Sequence, residues 1–150
     1  MTGPQMTAFG VCLEAGGHGT PLANGCGMDG PVDVTEQVIK SAIEVHRALG
    51  PGFRERTYEE ALAIELLLQG VQFTRQVCIP VHYKGRIVGD YNLDFVVAET
   101  AVVEVKAVDG LDRVFEAQIL GYLKASGLHV GLLLNFNSRR LVDGVRRFIR

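Results

Sequence analysis

The 150-residue sequence predicts an α/β domain: a mixed sheet of about four strands flanked by helices, in the order α-α-β-β-β-α-β-α. Three observations predict it. Apolar residues recur at helical spacing up to about residue 69, the pattern turns strand-like through residue 107, and a further helical stretch leads into a near-continuous apolar run. Three successive strand patterns joined by short turns suit an antiparallel meander. The later helix supplies the long connection that a parallel fourth strand requires.

In the first helix, Val34, Val38, Ile39, Ala42, Ile43, Val45, His46 and Leu49 fall at helical spacing, with Asp33 or Thr35 as N-cap. Gly50-Pro51-Gly52 ends it. Tyr58, Ala61, Leu62, Ile64, Glu65 and Leu66 mark a second helix over 53–69, closed by Gly70. Strand patterns follow at 71–81, 86–98 and 101–107, joined by the turn Tyr83-Lys84-Gly85 and the tight Glu99-Thr100 connection. A third helix over 113–126 carries Val114, Ala117, Ile119, Leu120, Tyr122 and Leu123, and Gly127 stops it. The apolar run 128–136 suits a strand buried on both faces. A last helix is expected over 139–149.

Composition bounds the function. With 47% hydrophobic and 21% charged residues, the chain reads as one soluble globular domain over 31–150. No apolar stretch approaches the roughly 20 residues that span a bilayer, so no membrane partner is expected. Cys12, Cys26 and Cys78 have no metal-like spacing and suggest no disulfide framework, which favours a reducing cytoplasm. Residues 1–30 hold eight glycines, Glu14 and Asp29, and no Lys or Arg. They read as a disordered or loosely attached segment, with Met28 as the expected native start. The rest carries all 15 basic residues and the remaining acids of the 17, a neutral balance that argues against coating nucleic acid by bulk charge.

The chemistry sits in the third strand pattern. Glu104 and Lys106 flank Val105 within Ala101–Ala107, a run otherwise apolar. Strand alternation puts both charges on one face, roughly 6–7 Å apart. Two charges on a buried strand are costly unless they pair or bind something. Asp94 is a second isolated acid, near the end of the preceding strand. An aspartate on one strand and Glu-x-Lys on the next can bring a divalent cation and a phosphate-directed lysine together. A Glu-x-Lys pair alone is more often a salt bridge at a strand end. Elsewhere, His46 reads as a packed histidine and Cys78 as an inert core thiol.

These residues, in this order, resemble the PD-(D/E)xK superfamily of restriction-endonuclease-like folds, with its α-β-β-β-α-β core. The chain is most similar to the small bacterial GxxExxY family within it. The signature stands as Gly52-Phe53-Arg54-Glu55-Arg56-Thr57-Tyr58, and Arg75-Gln76, Tyr83-Lys84-Gly85, Asp94, Glu104-Val105-Lys106-Ala107 and Glu116-Ala117-Gln118 also match. The resemblance implies a metal-dependent nuclease. It makes Asp94 and Glu104 the metal-binding carboxylates, the Val105 carbonyl a third oxygen ligand and Lys106 the catalytic lysine. Hard oxygen donors imply Mg²⁺ or Mn²⁺. Glu55, at the signature position, or Glu59, one turn later, would reach the metal through water, while Glu60 points elsewhere into solvent. Gln118 would support the lysine or the attacking water. Tyr122, four residues on, is either a supporting residue or a core aromatic, and Tyr58 is a second supporting residue.

The implied partner is DNA or RNA, with Arg54, Arg56, Arg75, Lys84 and Lys124 as candidate phosphate contacts. A homodimer would present two sites to two strands. Two alternatives stay open. One is a catalytically silent nucleic-acid-binding or protein-interaction module of the same fold. The other is a hydrolase of a small phosphoester or nucleotide, favoured by the neutral charge balance.

Overall fold

A computed structural model describes residues 33–150. The expectations for residues 1–30, including Met28 as the start, lie outside the described residues. The elements are α1 (Val34–Leu49), α2 (Glu55–Leu68), β1 (Phe73–Tyr83), β2 (Arg86–Val97), β3 (Ala101–Lys106), α3 (Arg113–Ser126), β4 (Val130–Asn135), a 3-10 turn (Leu141–Gly144) and β5 (Val145–Ile149). They form a five-stranded mixed sheet in sequential order. β2 is antiparallel to both β1 and β3, β3 and β4 are parallel, and β5 is antiparallel to β4. The expected meander and helical crossover are therefore present.

Local signals set the boundaries. Asp33 caps α1, its carboxylate accepting from the Thr35 amide at 3.0 Å and the Thr35 hydroxyl at 2.7 Å. Gly50 and Gly127 end α1 and α3 with φ of +67° and +74°, which glycine adopts without strain. Tyr58 fastens the Gly50-Pro51-Gly52 connection: its hydroxyl donates to the Gly50 carbonyl at 2.6 Å and accepts from the Phe53 amide at 3.1 Å. The same ring stacks on Phe136 with centroids 4.6 Å apart. Tyr58 thus fixes the turn that delivers Glu55 to the start of α2.

Two apolar layers cover the sheet. Val38, Val45, Leu62 and Leu66 of α1 and α2 pack on Val103, Val105, Leu132 and Leu134. Ile119, Tyr122 and Leu123 of α3 pack on Val96 and Val102 from the other side.

The expected helix over 139–149 is a 3-10 turn followed by β5, a fifth strand. Two requirements overrule the helical spacing of Val142, Val145 and Ile149. The outer edge of β4 needs a hydrogen-bonding partner, and β5 supplies it from Leu134↔Val145 to Val130↔Ile149. Val145 packs into the α1/α2 layer and Phe148 into the α3 layer. Residues three apart reach opposite faces from a strand, whereas a helix would put them on one.

Candidate active site

The site is where β2 leaves β3. Their ladder runs Val97↔Ala101, Val96↔Val102 and Phe95↔Val103, then stops. The next pair would be Asp94 and Glu104. Instead the Asp94 carboxylate accepts from the Val105 amide at 2.9 Å, so a side chain replaces the missing backbone partner.

A change of face explains the split. On β1 and β2, Phe73, Phe95 and Val97 pack toward α1 and α2. Val77, Ile79, Tyr91 and Leu93, of the same odd parity, pack toward α3. The two strands therefore turn over between these groups, where Gln76 and Asp94 lie. Gln76 has φ of +50°, a left-handed conformation that costs a non-glycine residue on the order of 1 kcal/mol. That kink lets two consecutive side chains reach one carboxylate. Arg75 Nη2 and Gln76 Nε2 each donate to Glu59 Oε1 at 2.8 Å.

Glu104 and Lys106 are buried on one side of β3, with Lys106 Nζ 2.6 Å from Glu104 Oε1. Lys106 Nζ also lies 3.6 Å from Glu55 Oε1 and 5.6 Å from the centre of the Phe115 ring. It sits between the first turn of α2 and the first turn of α3. Burial, and then the neighbouring Asp94 charge, push the Glu104 carboxyl up to about 7 against the pull of Lys106. Burial also raises Asp94, with Glu59 and Glu55 adding to the effect and the Val105 hydrogen bond opposing it. For Lys106, burial pulls the ammonium down, but Glu104, Glu55 and Asp94 outweigh it and hold its pKa above the ordinary value. Lys106 is therefore a cation at neutral pH. Replacing a buried ion pair by apolar residues is often neutral or stabilising by about 1–4 kcal/mol. Packing alone does not account for these charges.

Asp94, Glu104, Lys106 and Glu55 thus come together. Glu59 is also buried, close enough for its charge to act on Asp94, but Arg75 and Gln76 hold it. Tyr122 is a buried core aromatic edge-on to Tyr91, with centroids 5.0 Å apart. It also feels the site: burial, and then the Glu104 and Asp94 charges, raise its hydroxyl above the ordinary phenol pKa. Gln118 is half-buried one turn earlier and makes no hydrogen bond to Lys106 or Glu104. Arg75 is occupied by Glu59 and Glu60, so it presents no free guanidinium to a phosphate. Glu60 is exposed and pairs with Arg75 rather than standing alone in solvent. Arg54 and Arg56 are exposed on either side of Glu55, Lys124 is exposed on α3, and Lys84 is at the β1–β2 turn. His46 is packed as expected, its Nε2 2.9 Å from the Ser138 carbonyl oxygen.

The sequence reading missed two supports. Gln76, marked in the sequence only by the Arg75-Gln76 match and given no role, is one, and Asn92 donates to its side-chain oxygen from β2. Asn135, paired with Lys106 across β3 and β4, is the other. Its amide donates to the Val108 carbonyl at 2.8 Å and accepts from the Val108 amide at 3.1 Å, fixing the chain as it leaves Lys106. The available signal was an isolated amide ending the apolar run Leu132-Leu133-Leu134.

Among the described residues, no group of three or more His, Cys, Asp or Glu forms a metal cage by itself. A two-carboxylate site completed by a backbone carbonyl and water needs no such cage. Glu104 Oε2 is buried without a hydrogen-bond partner. An orphaned carboxylate oxygen beside a second acid, both with raised pKa values, fits a hard divalent cation.

No curated protein and no solved structure matches the chain. A family model described as the PD-(D/E)XK nuclease superfamily matches residues 32–148, from just before α1 to the penultimate residue of β5. The match contains the split between β2 and β3 and each acid around it, and the chain belongs to the PD-(D/E)XK nuclease superfamily.

Proposed function

We propose that this chain is a Mg²⁺-dependent nuclease, also served by Mn²⁺, that hydrolyses phosphodiester bonds of DNA or RNA. The observation that carries the reading is the meeting of Asp94, Glu104 and Lys106 where the β2–β3 ladder opens, with Glu104 Oε2 left unpartnered. The narrower GxxExxY assignment rests on the run from Gly52 to Tyr58, and a cytoplasmic setting accords with the cysteine usage.

Asp94, Glu104 and the Val105 carbonyl would hold the cation, with Glu55 or Glu59 acting through water. Bound there, it would polarise a phosphoryl oxygen and acidify a water for in-line attack. Lys106, protonated at neutral pH, is a donor and not a base. It orients the attacking water and stabilises negative charge on the phosphorane. The Phe115 ring covers one side of the ammonium. Tyr58 acts at a distance by setting the turn that places Glu55.

The test is cleavage of labelled single-stranded, duplex and branched DNA and RNA with Mg²⁺ or Mn²⁺, beside an identically purified Lys106→Ala protein. We expect cleavage by the wild type and a loss of at least about 10²-fold in the variant. Equal activity in both would sink the reading. Metal binding without nucleic-acid cleavage would turn the search to small phosphoesters. Neither metal binding nor cleavage would favour the silent module.

A further inference from the structure

The β1–β2 hairpin is far longer than the sheet needs. β2 pairs with β3 only through Phe95, Val96 and Val97, yet β1 and β2 stay paired from Val77↔Leu93 to Tyr83↔Arg86. The base of this two-stranded ribbon is held by α3, where Ile79 and Tyr91 join Tyr122. Beyond it, every residue from 82 to 90 is exposed. The turn is a two-residue one, Lys84-Gly85, with φ of +47° and +77°, the positive pair that matches strand twist. From Gly85 back to Asp94 is about 30 Å at extended-strand rise.

The chemistry of the tip is uneven. Its exposed stretch, 82–90, carries Lys84 and Arg86 at the turn and one acid, Asp90, at the end nearest the sheet. It also shows Tyr83, Ile87 and Val88 at 63%, 67% and 61% exposure. A ribbon that is only a structural hairpin gains nothing from such a tip. Cations and large apolar side chains together suit a surface of phosphates and base edges. Shape narrows the choice further. A two-stranded ribbon fits the major groove of B-form DNA, about 12 Å wide, whereas the A-form major groove of RNA is deep and narrow.

The geometry points to the ribbon as a DNA-binding arm. It enters the major groove of duplex DNA, with Lys84 and Arg86 on the flanking phosphates and Ile87, on the face opposite Arg86, against base edges. β2 runs from that tip directly to Asp94, so the arm and the candidate site engage one duplex. This inference rests on the nuclease reading and names its substrate as duplex DNA.

The experiment measures binding by fluorescence anisotropy in EDTA, with a 20-base-pair DNA duplex, the matching RNA duplex and single-stranded DNA. Wild type is compared with Lys84→Glu/Arg86→Glu, and with Lys84→Gln/Arg86→Gln should charge reversal impair folding. We expect charge reversal to weaken duplex DNA at least about tenfold and to lower the salt slope by about two. Duplex RNA should bind at least about tenfold more weakly than duplex DNA to the wild type. Unchanged affinity in the variants, or equal affinity for the two duplexes, overturns the assignment. So does a dimer in sedimentation equilibrium that charge reversal dissolves, which would give the ribbon to a second copy. Hydrolysis of the same DNA duplex with Mn²⁺, wild type against Lys106→Ala, separates the two readings. Lysine-dependent hydrolysis without an arm effect removes the arm alone. An arm effect without hydrolysis removes the nuclease alone.

Discussion

Glu104 holds its proton to about pH 7 in the metal-free folded protein, against an ordinary value of 4.5. Between those values the folded state binds the extra proton, so this carboxyl's contribution to stability is greatest below about 4.5 and is lost as pH rises to about 7. The fall is on the order of 3 kcal/mol. Urea unfolding in EDTA at several pH values should show it in the wild type, and Glu104→Gln should make the fall shallower, leaving the part that the raised Asp94 carries. A Glu104→Gln curve as steep as the wild type would mean that another group carries the titration. Lys106 cannot account for this window, because its raised pKa places its own contribution at alkaline pH. The parity of Glu104 and Lys106 was legible in the sequence, since alternation follows from strand geometry alone. The orphaned Oε2 was not, because it depends on β2 turning away.

Among the elements, β1 and β2 carry the least predictable feature, the change of face at Gln76 and Asp94. Strand signals located both elements to within two residues, and Tyr83-Lys84-Gly85 located their turn. Nothing in a Thr-Arg-Gln-Val run marks a left-handed glutamine. The kink is imposed by tertiary demand: Glu59 needs two donors, and the apolar residues on either side belong to different layers. This gives a paired prediction. Gln76→Ala keeps the strained φ and loses the bond to Glu59, whereas Gln76→Gly loses the bond but relaxes the backbone. Gln76→Gly should therefore be the more stable of the two by about 1 kcal/mol in urea unfolding. Equal stabilities would show that the left-handed residue stores no strain. The C-terminal element failed in sequence for a related reason. Whether Val145 and Phe148 share a face depends on the open edge of β4, which periodicity does not register.

For the whole molecule, the buried carboxylates and the open ladder predict coupling between cation and fold. Mg²⁺ at ten times its Kd should stabilise the folded state by about 1.4 kcal/mol at pH 8. That corresponds to a rise in Tm of about 3–7 °C for a domain of this size. Asp94→Asn should abolish the rise, and a shift that survives it would place the cation elsewhere. The layered architecture was legible as a whole, because each apolar stripe had one sheet face to cover. The position of the site within it depended on where one strand pair stops.

All of residues 82–90 are exposed, while Asp94 and Glu104 lie where the ribbon meets the sheet. The hairpin is therefore a part whose length is free to vary. Adding one residue to each strand would turn every distal side chain to the opposite face, and adding two would restore it. Reach could then be engineered in steps of about 7 Å without touching the carboxylates.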